Sequence, residues 1–226
     1  MKQLPLAIGA IGAEPDQSFE NLLPGANGLA VAHLLSLPSS SAPVYLWGPP
    51  GSGKTHLLRA FVSHLAQRGE RVGWFSAADA APWVFGEHWS AIVIDACDRL
   101  DVDQQQAAFA LFVEATTHGV PVLAAGRVPP VDLPLREDLR TRLGWGHVFG
   151  MQPLSESETR SALRREADRR GVFLSDEVMD YLLTRFERDL THLMRLLDRL
   201  DEFSLANKRP ITVPMLKQML VEEGHG

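Results

Sequence analysis

A single cysteine, Cys97, in a chain of 226 residues leaves no internal disulfide to form. It suits a reducing compartment, where its expected part is that of a small buried thiol. No run of about 20 apolar residues is present, and no basic region followed by an apolar stretch opens the chain. Neither a membrane span nor a secretory signal is therefore expected, and the cytoplasm is the expected location. Excess positive charge is missing as well. The 22 Lys and Arg against 28 Asp and Glu give a formal net charge of −6, a field that opposes a polyanion and argues against strong direct DNA binding. The five tryptophans, Trp47, Trp74, Trp83, Trp89 and Trp145, are scattered without basic residues between them. That is unlike a platform for stacking single strands, and core or interface packing is expected of them. The histidines, among them His56, His64, His88 and His118, show no metal-ligand spacing with Cys97, so no protein-ligated metal centre is expected.

With 45% hydrophobic residues the chain can bury one substantial core and a small second one. Residues 1–17 lack any helical or strand period and read as a flexible tail. Residues 18–152 carry short apolar runs, Val44–Trp47, Val72–Ser76, Ala91–Asp95 and Val120–Ala125. Between them lie segments of helical length, notably Thr55–Gln67 and Asp103–His118. Alternating strands and helices predict an α/β fold, a parallel sheet flanked by helices. From residue 153 to 226 the pattern is helical throughout and predicts a small all-α domain. Ser155 with Glu158, and Ser175 before Asp176 and Glu177, are helix-start signals; Leu190, Leu193, Met194, Leu197 and Leu200 form an apolar stripe; Thr212-Val213-Pro214 opens a last helix. Arg160, Arg164, Arg165, Arg169 and Arg170 fall on one of these helices, either as a solvated face or as a surface for an acidic partner.

Gly48-Pro49-Pro50-Gly51-Ser52-Gly53-Lys54-Thr55 matches the phosphate-binding pattern G-x-x-x-x-G-K-[ST], between a strand and a helix as that pattern requires. Its glycines let backbone N–H groups turn toward phosphate oxygens, the helix points its positive end at them, and Lys54 adds a charge. Thr55 is placed to put its hydroxyl on Mg²⁺. His56, directly after the motif, is counted with the nucleotide-binding stretch. The apolar run Ala91–Ile94 ends in Asp95, as a Walker B strand must to deliver a carboxylate to the magnesium shell. ADP or ATP with Mg²⁺ is the expected ligand.

These segments are followed by Leu139-Arg140-Thr141-Arg142-Leu143-Gly144-Trp145-Gly146 and by Arg188-Asp189-Leu190. In that order they resemble the DnaA branch of the AAA+ ATPases over roughly residues 18 to 222. The resemblance implies that Arg142 is an arginine finger acting on a neighbouring molecule's nucleotide and that Arg188 is the lid arginine called sensor 2. It also implies that Ser18–Asn21 and Pro24–Asn27 pack near the adenine. The chain departs from the pattern of AAA+ motors in two places. Ala96 stands where a second acid would position the attacking water, with Asp98 two residues further on. Alanine and glycine occupy the end of the fourth strand, Leu123-Ala124-Ala125-Gly126-Arg127, where a polar sensor 1 residue is expected. Nucleotide binding with poor unaided hydrolysis follows from these losses.

A DnaA-like body, acidic and without a DNA-reading helix-turn-helix after the lid, resembles the Hda regulators. Gln3, Leu4 and Leu6 then look like a peptide for the β sliding clamp. What that resemblance implies is an ADP-carrying protein on the clamp that stimulates hydrolysis of DnaA-bound ATP, in a module type open to nucleotide-dependent self-association. A DnaC-like helicase loader with its own ATPase and a small-molecule P-loop kinase are the alternatives. The first would more naturally keep the acid that Ala96 replaces, and the second would leave Arg142–Gly146 and the helical tail unexplained.

Overall fold

A computed structural model describes residues 18–37, 42–186 and 190–222. Gln3, Leu4, Leu6 and Arg188 lie outside the described residues. The chain divides into two compact units, Met1–Gln152 and Pro153–Gly226.

The first unit runs α1 (Gly28–Leu35), β1 (Val44–Trp47), α2 (Lys54–Gln67), β2 (Arg71–Phe75), β3 (Trp89–Ile94), α3 (Val102–His118), β4 (Val122–Gly126), α4 (Glu137–Trp145) and β5 (His147–Gly150). The strands form one sheet in the order β2-β3-β4-β1-β5, and every pairing is parallel. Because side chains alternate along a strand, each central strand serves both faces. Tyr45, Ile92, Ile94 and Ala124 join Leu111, Phe112 and Leu139 from α3 and α4 in one core layer. Leu46, Val93 and Leu123 join Leu34, Leu57, Leu58 and Phe61 from α1 and α2 in the other. The α/β fold expected from the apolar runs is thus the one observed.

The apolar runs predict four strands, and the sheet among the described residues has five. β5 escapes the apolar-run criterion because it is a four-residue edge strand, largely exposed. It is fixed by its ladder with β1, where Leu46 pairs with Phe149. α4 has equally little pattern of its own, burying only Leu139 and Leu143.

The second unit is α5 (Glu156–Arg169), α6 (Asp176–Arg185), α7 (Leu190–Asn207) and α8 (Val213–Glu222). Both serine start signals operate. The Ser155 hydroxyl accepts from the Glu158 N–H while Glu158 accepts from the Ser155 N–H at 2.7 Å, and Ser175 accepts from the Val178 N–H. Leu193, Leu196, Leu197 and Leu200 line the buried side of α7 and meet Leu163, Leu182, Leu216 and Met219. The arginine-rich helix is not an open basic surface. Arg160 pairs with Asp180, Arg164 with Asp176, and Arg170 with Glu166 and Asp198. Acids of this same unit answer much of the charge that suggested an acidic partner.

No helix among the described residues is long and apolar enough to cross a membrane.

Candidate nucleotide-binding site

The parallel sheet brings the carboxyl ends of β1, β3 and β4 to one edge, where ligands of open α/β sheets sit. β1 leads into the loop Gly48–Gly53, and α2 starts at Lys54. At Gly48 a β-carbon would lie 2.3 Å from the Met151 carbonyl oxygen, and Gly53 caps α2 with φ +86°. Both positions need glycine, the first for space and the second for its left-handed backbone. Lys54 Nζ donates to the carbonyl oxygens of Gly48 and Pro49, each at 2.8 Å, and to Ser52 Oγ at 3.1 Å. The ammonium is therefore centred on the loop, and the cradle fits a phosphate chain: a glycine-lined turn, a helix N-terminus and one central cation.

Burial pulls the Lys54 ammonium below its ordinary range; Asp95 and Asp98 pull against that, and Arg127 adds to it. Thr55 Oγ1 donates to Asp95 Oδ2 at 2.8 Å, joining the start of α2 to the end of β3. A hydroxyl and a carboxylate in contact are what a Mg²⁺ ion beside the phosphates would use. His56, on the first turn of α2, has its Nε2 buried without a hydrogen-bond partner, and burial followed by the charge of Arg59 keeps its pKa below the usual range.

Beyond Asp95 the chain turns through Ala96, at φ +50°, into a short 3-10 turn, Cys97–Arg99. This turn places Asp98 where Arg127, the residue after β4, donates to it through Nε at 2.6 Å. At Gly126, the last residue of β4, a β-carbon would lie 2.3 Å from the Tyr45 hydroxyl. That hydroxyl donates to the Val128 carbonyl oxygen at 2.7 Å.

Arg142 stands elsewhere, in the last turn of α4. Its guanidinium lies over the rings of Phe109, at 5.2 Å, and Phe112, at 5.6 Å. It borders a pocket of about 550 Å³ lined also by Pro43, Phe112, Val120, Val122 and Trp145. Trp145 is 78% exposed, so core packing does not explain it, whereas Trp83 is buried. On the other side of the unit, Asn27 is tied into the fold by reciprocal 2.8 Å hydrogen bonds with the backbone of Gln152.

This fold is similar to that of domain III of the replication initiation protein DnaA from Thermotoga maritima, with TM-score 0.78 and 20% identity over 93% of this chain and 98% of that one. The model of the Hda lid domain matches residues 156–220. The fold is thus that of DnaA domain III, and residues 156–220 match an Hda-type lid domain. AMPPCP-bound DnaA from Aquifex aeolicus is similar at TM-score 0.70 and 22% identity, over 84% of this chain and 66% of that one. The RuvB branch-migration motor of Thermotoga maritima shares the fold at TM-score 0.68 and 18% identity, over 90% of this chain and 71% of that one.

Two features of this site escape a reading of the sequence. The spacing of Asp95 and Asp98 was visible, but only the 3-10 turn shows that it brings Asp98 to Arg127. Tyr45 gave no signal, since a tyrosine in an apolar run reads as core.

Proposed function

We propose that this chain is a nucleotide-bound replication regulator, held on the sliding clamp, that stimulates hydrolysis of DnaA-bound ATP. One observation carries the reading: a complete phosphate cradle is combined with an incomplete hydrolytic end. Lys54, Thr55 and Asp95 are gathered at the loop, while Ala96 and Gly126 bring no polar side chain to the ends of β3 and β4. Such a site retains nucleotide without an oriented nucleophile. The Hda-type lid and the likeness to DnaA support the choice of partner.

In this reading Gly48, Pro49, Pro50, Gly51, Ser52, Gly53, Lys54, Thr55 and His56 surround ADP or ATP, with Thr55 and Asp95 holding Mg²⁺. Arg188 carries the sensor 2 role that the resemblance assigns to it. The bound nucleotide and its metal supply phosphate charge and a polarising cation. Arg142 acts on the ATP of DnaA, where an arginine supplied in trans raises phosphoryl transfer by about 10³ to 10⁵-fold. Gln3, Leu4 and Leu6 bind the β clamp. No strong direct contact with DNA is needed.

The test is ATP hydrolysis by DnaA with this protein, ADP and DNA-loaded clamp, for the wild type, Arg142→Ala and Gln3→Ala/Leu4→Ala. Clamp-dependent stimulation lost in both variants supports the proposal. Brisk hydrolysis by the chain alone, with no effect on DnaA, would overturn it in favour of a motor or helicase loader.

A further inference from the structure

The cavity of about 550 Å³ beside Arg142 lies at the amino-terminal ends of β1 and β4, the edge of the sheet opposite the phosphate loop. Phe112 and Val122 are its buried lining, and Trp145, 78% exposed, is its open wall. That wall is fixed. Gly146 has no room for a β-carbon against the Pro43 carbonyl, and the His147 N–H donates to the same carbonyl oxygen at 2.8 Å. The backbone that carries Trp145 is thereby tied to Pro43, itself part of the lining.

The lining is mostly apolar and carries one charge, that of Arg142. Arg136 and Arg142 both lie over the Phe109 ring, at 5.3 and 5.2 Å. Asp138 answers Arg136 at 2.8 Å, whereas among the described residues no carboxylate pairs with Arg142. An uncharged apolar ligand would cover that guanidinium without giving it an acceptor, which is costly. An inorganic anion would leave the apolar walls wet, and a cation would be repelled. A ligand with an apolar body and a single carboxylate meets both demands, since a carboxylate matches the planar fork of one guanidinium. The volume is that of a small-ligand site, and the lining converges from α3, the turn after it, β4, α4 and the lead into β1 instead of following one element as a peptide groove does.

We propose that this cavity binds a small amphipathic carboxylate, and that its occupation takes Arg142 away from the ATP of DnaA and so restrains the stimulation. The binding stands on the cavity alone; the restraint rests on the role proposed for Arg142.

The experiment follows the indole N–H resonances of the full chain, with Trp145→Phe to assign the Trp145 signal. The probes are naphthoate, uncharged naphthylmethanol and cationic naphthylmethylamine. Naphthoate is expected to shift the Trp145 signal and to bind about tenfold more tightly than naphthylmethanol, the scale of one charge-assisted hydrogen bond. The amine should bind most weakly. Arg142→Gln should bring acid and alcohol together, and Thr116→Phe, at an exposed position on the lining, should weaken both by filling the cavity. Equal binding of acid and alcohol by the wild type, no shift at all, or shifts confined to other tryptophans overturn the site. In the DnaA assay naphthoate should lower stimulation by the wild type and spare that by Thr116→Phe. Undiminished stimulation with the cavity occupied, or equal inhibition of Thr116→Phe, overturns the restraint. If Arg142→Ala stimulates DnaA like the wild type without any probe, the role of Arg142 fails and the restraint with it, while the titration still decides the site. Arg142→Gln decides the titration alone should Thr116→Phe not fold.

Discussion

The Tyr45 hydroxyl stands 2.3 Å from where a β-carbon on Gly126 would lie, and the Val128 carbonyl oxygen holds it there. Any side chain at Gly126, polar or not, must displace that hydroxyl. Gly126→Ala is therefore expected to destabilise the protein by about 1–3 kcal/mol through overpacking. On a Tyr45→Phe background the same change should be milder, with a coupling of about 0.5–3 kcal/mol between the two positions. Urea unfolding of the four proteins gives the coupling, and strict additivity would remove Tyr45 as the obstacle.

The same relationship limits what restoring one acid can do. Ala96→Glu returns a carboxylate after Asp95, but Gly126, the last residue of β4, still offers no side chain, and residue 96 sits at φ +50°. Steady-state ATP hydrolysis by Ala96→Glu alone is expected to stay below the gain of about 10² to 10⁴-fold that a well-placed acid–base group contributes. A gain of that full size would show that the missing acid was the whole deficit.

Thr55 and Asp95 make the third case, since their 2.8 Å contact presents two oxygen ligands at the edge of the phosphate cradle. EDTA is expected to weaken nucleotide binding by the wild type and to have little effect on Asp95→Asn, which has lost the charge that draws the metal. Equal EDTA sensitivity in the two proteins would put the metal elsewhere.

The parts of this molecule that announce themselves in sequence are those in which local chemistry and final position coincide. The phosphate loop needs glycine where its backbone is left-handed or crowded, and α5 and α6 begin at serines that cap them. Central strands bury both faces and so read as apolar runs. β5 and α4 did not stand out, because their positions are decided by neighbours: β5 by its ladder with β1, α4 by two leucines and the close approach of Gly144 to Pro130. The Asp98–Arg127 pair was hidden for a related reason. Its members are 29 residues apart and meet only because β3 and β4 are adjacent.

Acid should loosen the first unit. His33 on α1 and His147 on β5 have ring centroids 4.2 Å apart, and His33 Nε2 is buried without a hydrogen-bond partner. Burial, and then the charge of His147, keeps the His33 pKa below its usual 6.5. The unfolded chain therefore takes up protons that the folded chain resists. This contribution to stability is complete above pH 6.5 and is lost as the pH falls through the folded value. Thermal midpoints are expected to fall on acidification below pH 6.5, and His33→Gln should flatten that dependence. An unchanged pH profile in the variant would assign acid sensitivity to other groups, with His56, depressed mainly by burial, next in line.

Arg142 separates function from stability most cleanly. Its stacking on Phe109 and Phe112 is a contact of the folded chain, generally worth about 0.5–1 kcal/mol at an accessible site, so Arg142→Ala should melt only slightly below the wild type. If its guanidinium serves the nucleotide of DnaA, stimulation of DnaA hydrolysis should nevertheless drop by about 10³-fold or more. Arg142→Lys keeps the charge but loses the planar fork that meets two phosphate oxygens together, and it should recover little of the stimulation. Side-by-side melts and stimulation assays on the two variants decide the assignment. A loss of stimulation no larger than the loss of stability would return Arg142 to a packing role, whereas full activity in Arg142→Lys would mean that charge alone suffices.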